Sequence, residues 1–288
     1  GSYAVGHWVL PDAETARRRL TPRTDLTRRA AGHSADSQRI AANVDTIAIV
    51  TSCNRDFNEA RLERYLALVT ASGALPLVLL TKADQTDEPH EFRRRAEALS
   101  PLVTALPINA KDHEAVQQLV PWCGPGLTLA LVGSSGVGKT TLRNALSDLE
   151  GETQDVREVD ARGRHTTTFR ALLPTRAGGW LIDTPGMREL QLTDASEGIA
   201  AGFDDIAGLV QSCRFRDCAH ETEPGCAVQA ALRDGTLDHT RLARWRKLEA
   251  EDRHNSATLA ESRAKSRAFG KMIKGAQAKG RRKRDPGR

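Results

Sequence analysis

No apolar run in this 288-residue chain approaches the roughly 20 residues that a bilayer-spanning helix needs. The N-terminus also lacks the basic-then-apolar pattern of a signal peptide. Together these absences exclude a helical membrane protein and set the expectation of a cytoplasmic one. Cysteine is sparse, at five residues, and in a reducing compartment thiols serve as metal ligands or stay free. An even spread of charge is missing too. Between Glu261 and Arg288 eleven Lys and Arg face two acids, a net of +9, which leaves the first 260 residues at −4 out of the overall +5. That tail carries Gly270, Gly275, Gly280 and Arg281-Arg-Lys-Arg284. It reads either as a solvated terminus or as an arm that neutralises nucleic-acid phosphates.

What is present is an alternation of strands and helices. Residues 1–40 hold short, turn-rich pieces, Val5-Gly-His-Trp-Val9 and Leu20-Thr-Pro-Arg23 among them, which suggest a β unit too small to close its own core. From 41 to 204 buried-strand runs at Val44–Thr51, Leu75–Leu80, Thr104–Ile108 and Leu127–Val132 alternate with helical stretches at Asn58–Ser72, Glu88–Ser100, Glu114–Val120 and Thr140–Leu149. Leu172–Leu173 and Trp180–Ile182 read as a hairpin. The expected fold is α/β, a largely parallel sheet with helices on both faces and its ligands at the carboxyl ends of the strands. Residues 205–260 turn helical and carry cysteines, and 261–288 is the basic tail.

Each strand end bears a motif. Gly133-Ser-Ser-Gly-Val-Gly-Lys139-Thr140 fits the phosphate-loop pattern G-x-x-x-x-G-K-[ST]. Gly133, Gly136 and Gly138 let the backbone turn its N–H groups, those of Ser134, Ser135 and Val137 included, toward phosphate oxygens, and the helix beyond supplies its positive end. Lys139 is expected to bridge the terminal phosphates, Thr140 to bind Mg²⁺, and Thr141 to line the same turn. Asp183-Thr-Pro-Gly186 fits a D-x-x-G switch, with Asp183 toward Mg²⁺ and Gly186 toward the γ-phosphate. In Gly163-Arg-His-Thr-Thr-Thr-Phe169 one threonine is expected on Mg²⁺; Thr167 is the candidate, with Thr166 beside it. Thr81-Lys82-Ala83-Asp84 reads guanine: the Asp84 carboxylate can accept from N1–H and the exocyclic amine, and the Lys82 stem lies along the ring. Thr81 stands where Asn is usual, and so should lose the amide that ties this loop to its neighbours. Asn109-Ala110-Lys111 adds a second guanine contact. Yet Thr81–Asp84 lies about 50 residues ahead of the phosphate loop rather than after it, so the GTPase order is circularly permuted.

Cys213-x4-Cys218-x-His220-x5-Cys226 offers three thiolates and an imidazole, which suits one closed, tetrahedral, structural Zn²⁺ site. Cys53 and Cys123 stand apart as core thiols. Arg214, Arg216, Arg241, Arg244, Arg246 and Lys247 are expected to make the surroundings of that site basic.

In this order the motifs, together with Ala42-Asn-Val-Asp45 and Glu223-Pro224-Gly225-Cys226, resemble the ribosome small-subunit-dependent GTPase A family from Val5 to roughly Lys247. The resemblance implies a GTPase acting in late maturation of the small (30S) ribosomal subunit. It also implies GTP and GDP as ligands, 16S rRNA as partner, other assembly factors nearby and a monomeric chain. Val5–Val9 and Pro22–Leu26 are similar to the later part of an RNA-binding OB-fold barrel that precedes the GTPase domain in that family. Ras-like GTPases place a water-orienting Gln after the switch glycine, and here Met187 stands there. The resemblance assigns that role to His165, with slow turnover until the subunit orders its loop. Two other readings compete: an RNA-binding scaffold with a structural nucleotide site, and a P-loop ATPase with a fortuitous guanine motif.

Overall fold

The computed structural model describes residues 3–12, 15–29, 37–147, 171–183, 192 and 194–257. Its centre is a six-stranded sheet. The strands are β5 (Thr46–Ser52), β6 (Leu75–Thr81), β7 (Thr104–Ile108), β8 (Thr128–Gly133), β9 (Ala171–Pro174) and β10 (Trp180–Asp183). Across the sheet they run β7-β6-β5-β8-β10-β9, all parallel except the β9–β10 pair. The chain therefore enters at the middle, winds out to one edge through β6 and β7, and returns to lay β8 against β5. It then winds out to the other edge. The reversal between β5 and β8 is the topological switch point, where sheets of this kind hold their ligands.

β5 is buried along its whole length, as a parallel strand covered on both faces must be. Its alternation divides the core: Ile47 and Ile49 join one apolar cluster, Ala48 and Val50 the other. The first cluster packs under α1 (Glu59–Ala71), through Leu62, Leu66 and Val69. The second packs under α5 (Lys139–Leu146), through Leu142 and Leu146. Asn58 begins α1 by accepting from Arg61 N at 2.9 Å, an N-cap of ordinary kind.

Two expected helices come out shorter or broken. The helix expected over Glu114–Val120 is α3 (His113–Gln117) and, after a break, α4 (Val120–Cys123). Pro121 explains the break, since its ring would collide with the carbonyl four residues back in a continuous helix. The helix expected to run from Thr140 to Leu149 ends at Leu146. Ser147 turns extended there, its hydroxyl donates to Arg143 O at 2.7 Å, and it bridges to Thr175. α2 (Pro89–Glu97) starts at its proline, where the missing N–H is harmless.

The first strands make two antiparallel ribbons: β1 (Val9–Asp12) with β2 (Thr15–Arg19), and β3 (Asp25–Arg29) with β4 (Ser37–Ala42). β1 is exposed throughout, whereas Leu26, Ile40 and Ala41 join the cluster under α1. Ala42–Asp45 fastens the base of the sheet. Asn43 Nδ2 donates to Gly6 O at 2.8 Å and Asp45 Oδ2 accepts from Thr128 N at 2.8 Å.

Beyond the sheet come α6 (Ser196–Gly202), α7 (Asp204–Gln211), α8 (Ala227–Asp234) and α9 (239–257). α6 lies so close to α1 that a methyl on Gly198 would come within 1.9 Å of Ala67 O. Val228, Leu242, Trp245 and Leu248 of the last two helices belong to the same cluster as Ile47 and Ile49. Among the described residues no helix is long and apolar enough to cross a membrane.

Candidate nucleotide site and metal centre

The motifs share the carboxyl-end side of the sheet, each carried there by the end of a parallel strand: Thr81 by β6, Asn109 by β7, Gly133 by β8, Asp183 by β10. The phosphate loop is locked by its glycines. A methyl on Gly133 (φ 139°) would come within 2.2 Å of Val50 O on β5, and Gly138 (φ 94°) sits left-handed as the N-cap of α5. Between them Ser135 and Gly136 are exposed and Val137 is buried. Thr140 and Thr141 open α5 on its solvent side. Lys139 Nζ donates to Gly133 O at 2.8 Å and to Ser134 O, so the ammonium is held across the mouth of its own loop.

Thr81 corrects an expectation. Its hydroxyl lies 2.6 Å from Val137 O in the phosphate loop and 3.0 Å from Thr51 O at the end of β5, and the residue is buried. The tie usually made by an amide is kept by a hydroxyl, because the loops approach closely enough for the shorter side chain. Lys82 is left-handed (φ 56°) and Asp84 is exposed on the turn that follows, Ala83–Gln85. Asn109 Oδ1 accepts from Lys111 N at 3.0 Å and shapes the β7 end, with Ala110 buried beneath it.

Asp183 ends β10 beside β8, pairing with Leu131 two residues short of Gly133, and Thr140 lies in the first turn of α5 just beyond the phosphate loop. Hydroxyl and carboxylate oxygens beside a phosphate cradle suit Mg²⁺. Asp183 also has a partner that sequence reasoning missed: Arg143 Nη1 donates to its Oδ2 at 3.0 Å. The available signal was a cation one helical turn after Thr140 on the same face. Gly186, His165 and Thr167, with Thr166, lie outside the described residues.

The second constellation is made by the turn between α7 and α8. The ligand atoms of Cys213, Cys218, His220 and Cys226 all lie within 4.8 Å of one another. Cys213 Sγ is 3.5 Å from His220 Nδ1 and 3.9 Å from Cys226 Sγ, and Cys226 Sγ is 3.6 Å from the same nitrogen. An ion bound tetrahedrally at about 2.3 Å to sulfur and about 2.0–2.1 Å to imidazole requires S···S near 3.8 Å and S···N near 3.5 Å. The three pairs among Cys213, His220 and Cys226 meet that test, and Cys218 Sγ lies within 4.8 Å of the other ligand atoms. Burial, with the neighbouring thiols, pushes the Cys218 thiol up to about 11. Against the effect of burial, the Ala227 and Val228 amides draw Cys213 below its ordinary value.

Around these groups the loop is held at several points. His220 is left-handed (φ 58°), and its carbonyl accepts from Gln229 Nε2 at 2.7 Å and Arg246 Nη2 at 2.5 Å. Its ring meets Trp245 edge-on at 6.0 Å. Glu223 accepts from the N–H groups of Ala219, Glu221 and Thr222, and its own amide, with these bonds, holds its carboxyl down to about 2. The expected basic surround is only partly there. Arg241 pairs with Glu63 at 3.1 Å and Asp205 at 2.7 Å, and Arg244 pairs with Glu63 at 2.7 Å. Their charge is directed inward, because Glu63 is buried and needs cationic partners.

The family model described as RsgA GTPase matches residues 20–193. The chain belongs to the RsgA GTPase family. A relative from Mesorhizobium japonicum, named small ribosomal subunit biogenesis GTPase RsgA, is 53% identical over 262 residues, covering 89% of this chain and 75% of its own. One from Vibrio parahaemolyticus, small ribosomal subunit biogenesis GTPase RsgA 2, is 48% identical over 272 residues, covering 94% and 76%. Among solved structures, YjeQ from Thermotoga maritima aligns with a TM-score of 0.61 and 25% identity, over 86% of this chain and 83% of that one. YloQ, described as a circularly permuted GTPase, aligns at 0.59 with 26% identity, over 88% and 82%. The family membership agrees with the chain order, in which β6 and β7 with their terminal motifs come before β8 and the phosphate loop.

Proposed function

We propose that this GTPase acts in late maturation of the small (30S) ribosomal subunit, with 16S rRNA as its macromolecular contact and hydrolysis stimulated by the subunit. The observation that supports it most is the meeting of Thr81–Asp84, Asn109–Lys111, Gly133–Thr140 and Asp183 at the carboxyl ends of the parallel strands, around the switch point between β5 and β8.

In this reading Asp84 and Lys82 select guanine, with Thr81, Asn109, Ala110 and Lys111 shaping that side of the site. The backbone from Gly133 through Thr141 holds the phosphates, Lys139 leaves its loop carbonyls for phosphate oxygens, and Gly186 senses the terminal phosphate. Thr140, Thr167 and Asp183 hold Mg²⁺, which when bound neutralises phosphate charge. His165 orients the attacking water. The Cys213, Cys218, His220 and Cys226 set holds a structural Zn²⁺. The chain works as a cytoplasmic monomer whose flanking parts, 1–40, 205–260 and the tail 261–288, contact RNA around the GTPase unit 41–204.

The test is GTP turnover with and without purified small subunits. Stimulation by subunits is expected, and its absence would leave the scaffold reading. His165→Ala should keep GTP affinity and lose the stimulated rate, by roughly 10²-fold or more as for removal of a water-orienting group. Asp84→Asn should relax the preference for GTP over other purine nucleotides; a protein that ATP occupies as readily as GTP would favour the ATPase reading.

A further inference from the structure

We propose that Arg143 is a resident counter-cation of Asp183 and sets the Mg²⁺ concentration that the nucleotide site requires. The geometry is specific. Arg143 lies on α5 one turn beyond Thr140, and its guanidinium is gripped from two sides. Nη1 donates to Asp183 Oδ2 at 3.0 Å, while Nε and Nη2 both donate to Asn144 Oδ1, at 3.2 and 3.0 Å. The two paired side chains are 24% and 16% exposed, so the pair is sheltered from the screening that weakens most surface ion pairs.

The inference rests on the reading above, that Asp183 is a Mg²⁺ carboxylate. A carboxylate already bonded to a guanidinium has less charge to offer a divalent ion. An arginine cannot shed its proton to relieve the conflict. Either the guanidinium swings away when the divalent ion arrives, losing its hydrogen bonds, or it stays and repels the ion; both raise the Mg²⁺ requirement. Lys139 Nζ, the other cation of this loop, donates to the carbonyls of Gly133 and Ser134. Arg143 is therefore a specificity-determining neighbour of the metal-binding oxygens, acting through charge.

The experiment titrates Mg²⁺ against the full chain at a fixed concentration of a fluorescent, non-hydrolysable GTP analogue. Arg143→Gln, which keeps much of the shape and removes the charge, should reach half-saturation at about three- to tenfold lower Mg²⁺, the scale of a partly sheltered ion pair. Arg143→Lys keeps the charge but loses the paired bonds to Asn144, so its midpoint should fall between those of Arg143→Gln and the parent. In Mg²⁺-free buffer Arg143→Gln should melt below the parent, and the gap should close at saturating Mg²⁺ and nucleotide. An unchanged or raised Mg²⁺ midpoint for Arg143→Gln overturns the proposal, as does a melting gap that Mg²⁺ leaves untouched. Asp183→Asn separates this from the underlying reading. It should abolish the Mg²⁺ enhancement of binding in either case, and if it does not, the Asp183 assignment fails whatever Arg143 does.

Discussion

Thr81 shows how a single residue joins two parts of a site that are far apart in sequence. Its hydroxyl reaches Val137 O, 56 residues away, and Thr51 O from the adjoining strand. Thr81→Val keeps the shape but leaves buried carbonyls without that donor, which costs about 1–3 kcal/mol. Chemical denaturation should record that loss. Nucleotide affinity should fall with it, because the turn after β6 and the phosphate loop then lose a shared anchor. Thr81→Ser, which retains the hydroxyl, should recover most of both; equal loss in Ser and Val variants would mean that the methyl packing, not the hydrogen bond, makes the connection. The place of Thr81 at the end of a buried strand was legible from the apolar run Leu75–Leu80 before it. Its bond to Val137 was not, since the approach of two loops depends on how β6 and β8 flank β5, which local pattern does not encode.

Among the elements, α9 was the least legible and does the most joining. Strands such as β7 could be placed to the residue because apolar, β-branched runs bounded by turn residues have few alternatives. For α9, periodicity gives the helix but not its partners, which lie 26 to 181 residues away. Near its start Arg241 and Arg244 reach Glu63 on α1. In its middle Arg246 and Trp245 hold the carbonyl and the ring of His220. Near its end Asp252 Oδ1 accepts from Ala195 N at 3.0 Å, and Asn255 Nδ2 donates to Leu192 O at 2.8 Å. Asp252 and Asn255 share a face at the i, i+3 spacing and are both buried. Removing the Asp252 acceptor strands a buried amide, so Asp252→Ala should destabilise by about 1–3 kcal/mol. Asp252→Asn keeps an acceptor and should lose less. Hydrogen exchange offers a local check: the Ala195 amide should lose protection in Asp252→Ala beyond the drop in global stability. If it exchanges no faster than the global change predicts, α9 does not fasten the 192–195 stretch.

At the scale of the whole molecule, motif order and core partition need not coincide. The sequence turns helical and cysteine-bearing after Phe203, which reads as a boundary. The apolar cluster does not stop there: Cys226, Val228, Trp245 and Leu248 belong with Ile47, Ile49 and Leu66. Two Arg-to-Glu63 pairs and the Arg64–Glu251 pair at 2.5 Å cross the same seam. A metal centre built on such a seam should not melt as a separate unit. If the cluster holds the structural ion proposed above, its removal by a chelator leaves three clustered thiols and a left-handed His220 without the bond that holds them, and bound metal is folding free energy. If about 2–3 kcal/mol is lost, the melting midpoint should fall by roughly 5–10 °C for a protein of this size class. Because the cluster is shared, calorimetry should still show one cooperative transition, shifted as a whole, with GDP-induced stabilisation retained. Retention is expected because the phosphate loop and α5 rest on the opposite cluster, through Leu131, Val137, Leu142 and Leu146. A low-temperature transition splitting off on chelation would instead mean that the cysteine-bearing helices fold independently of the sheet, and that the seam described by their buried residues does not carry cooperativity.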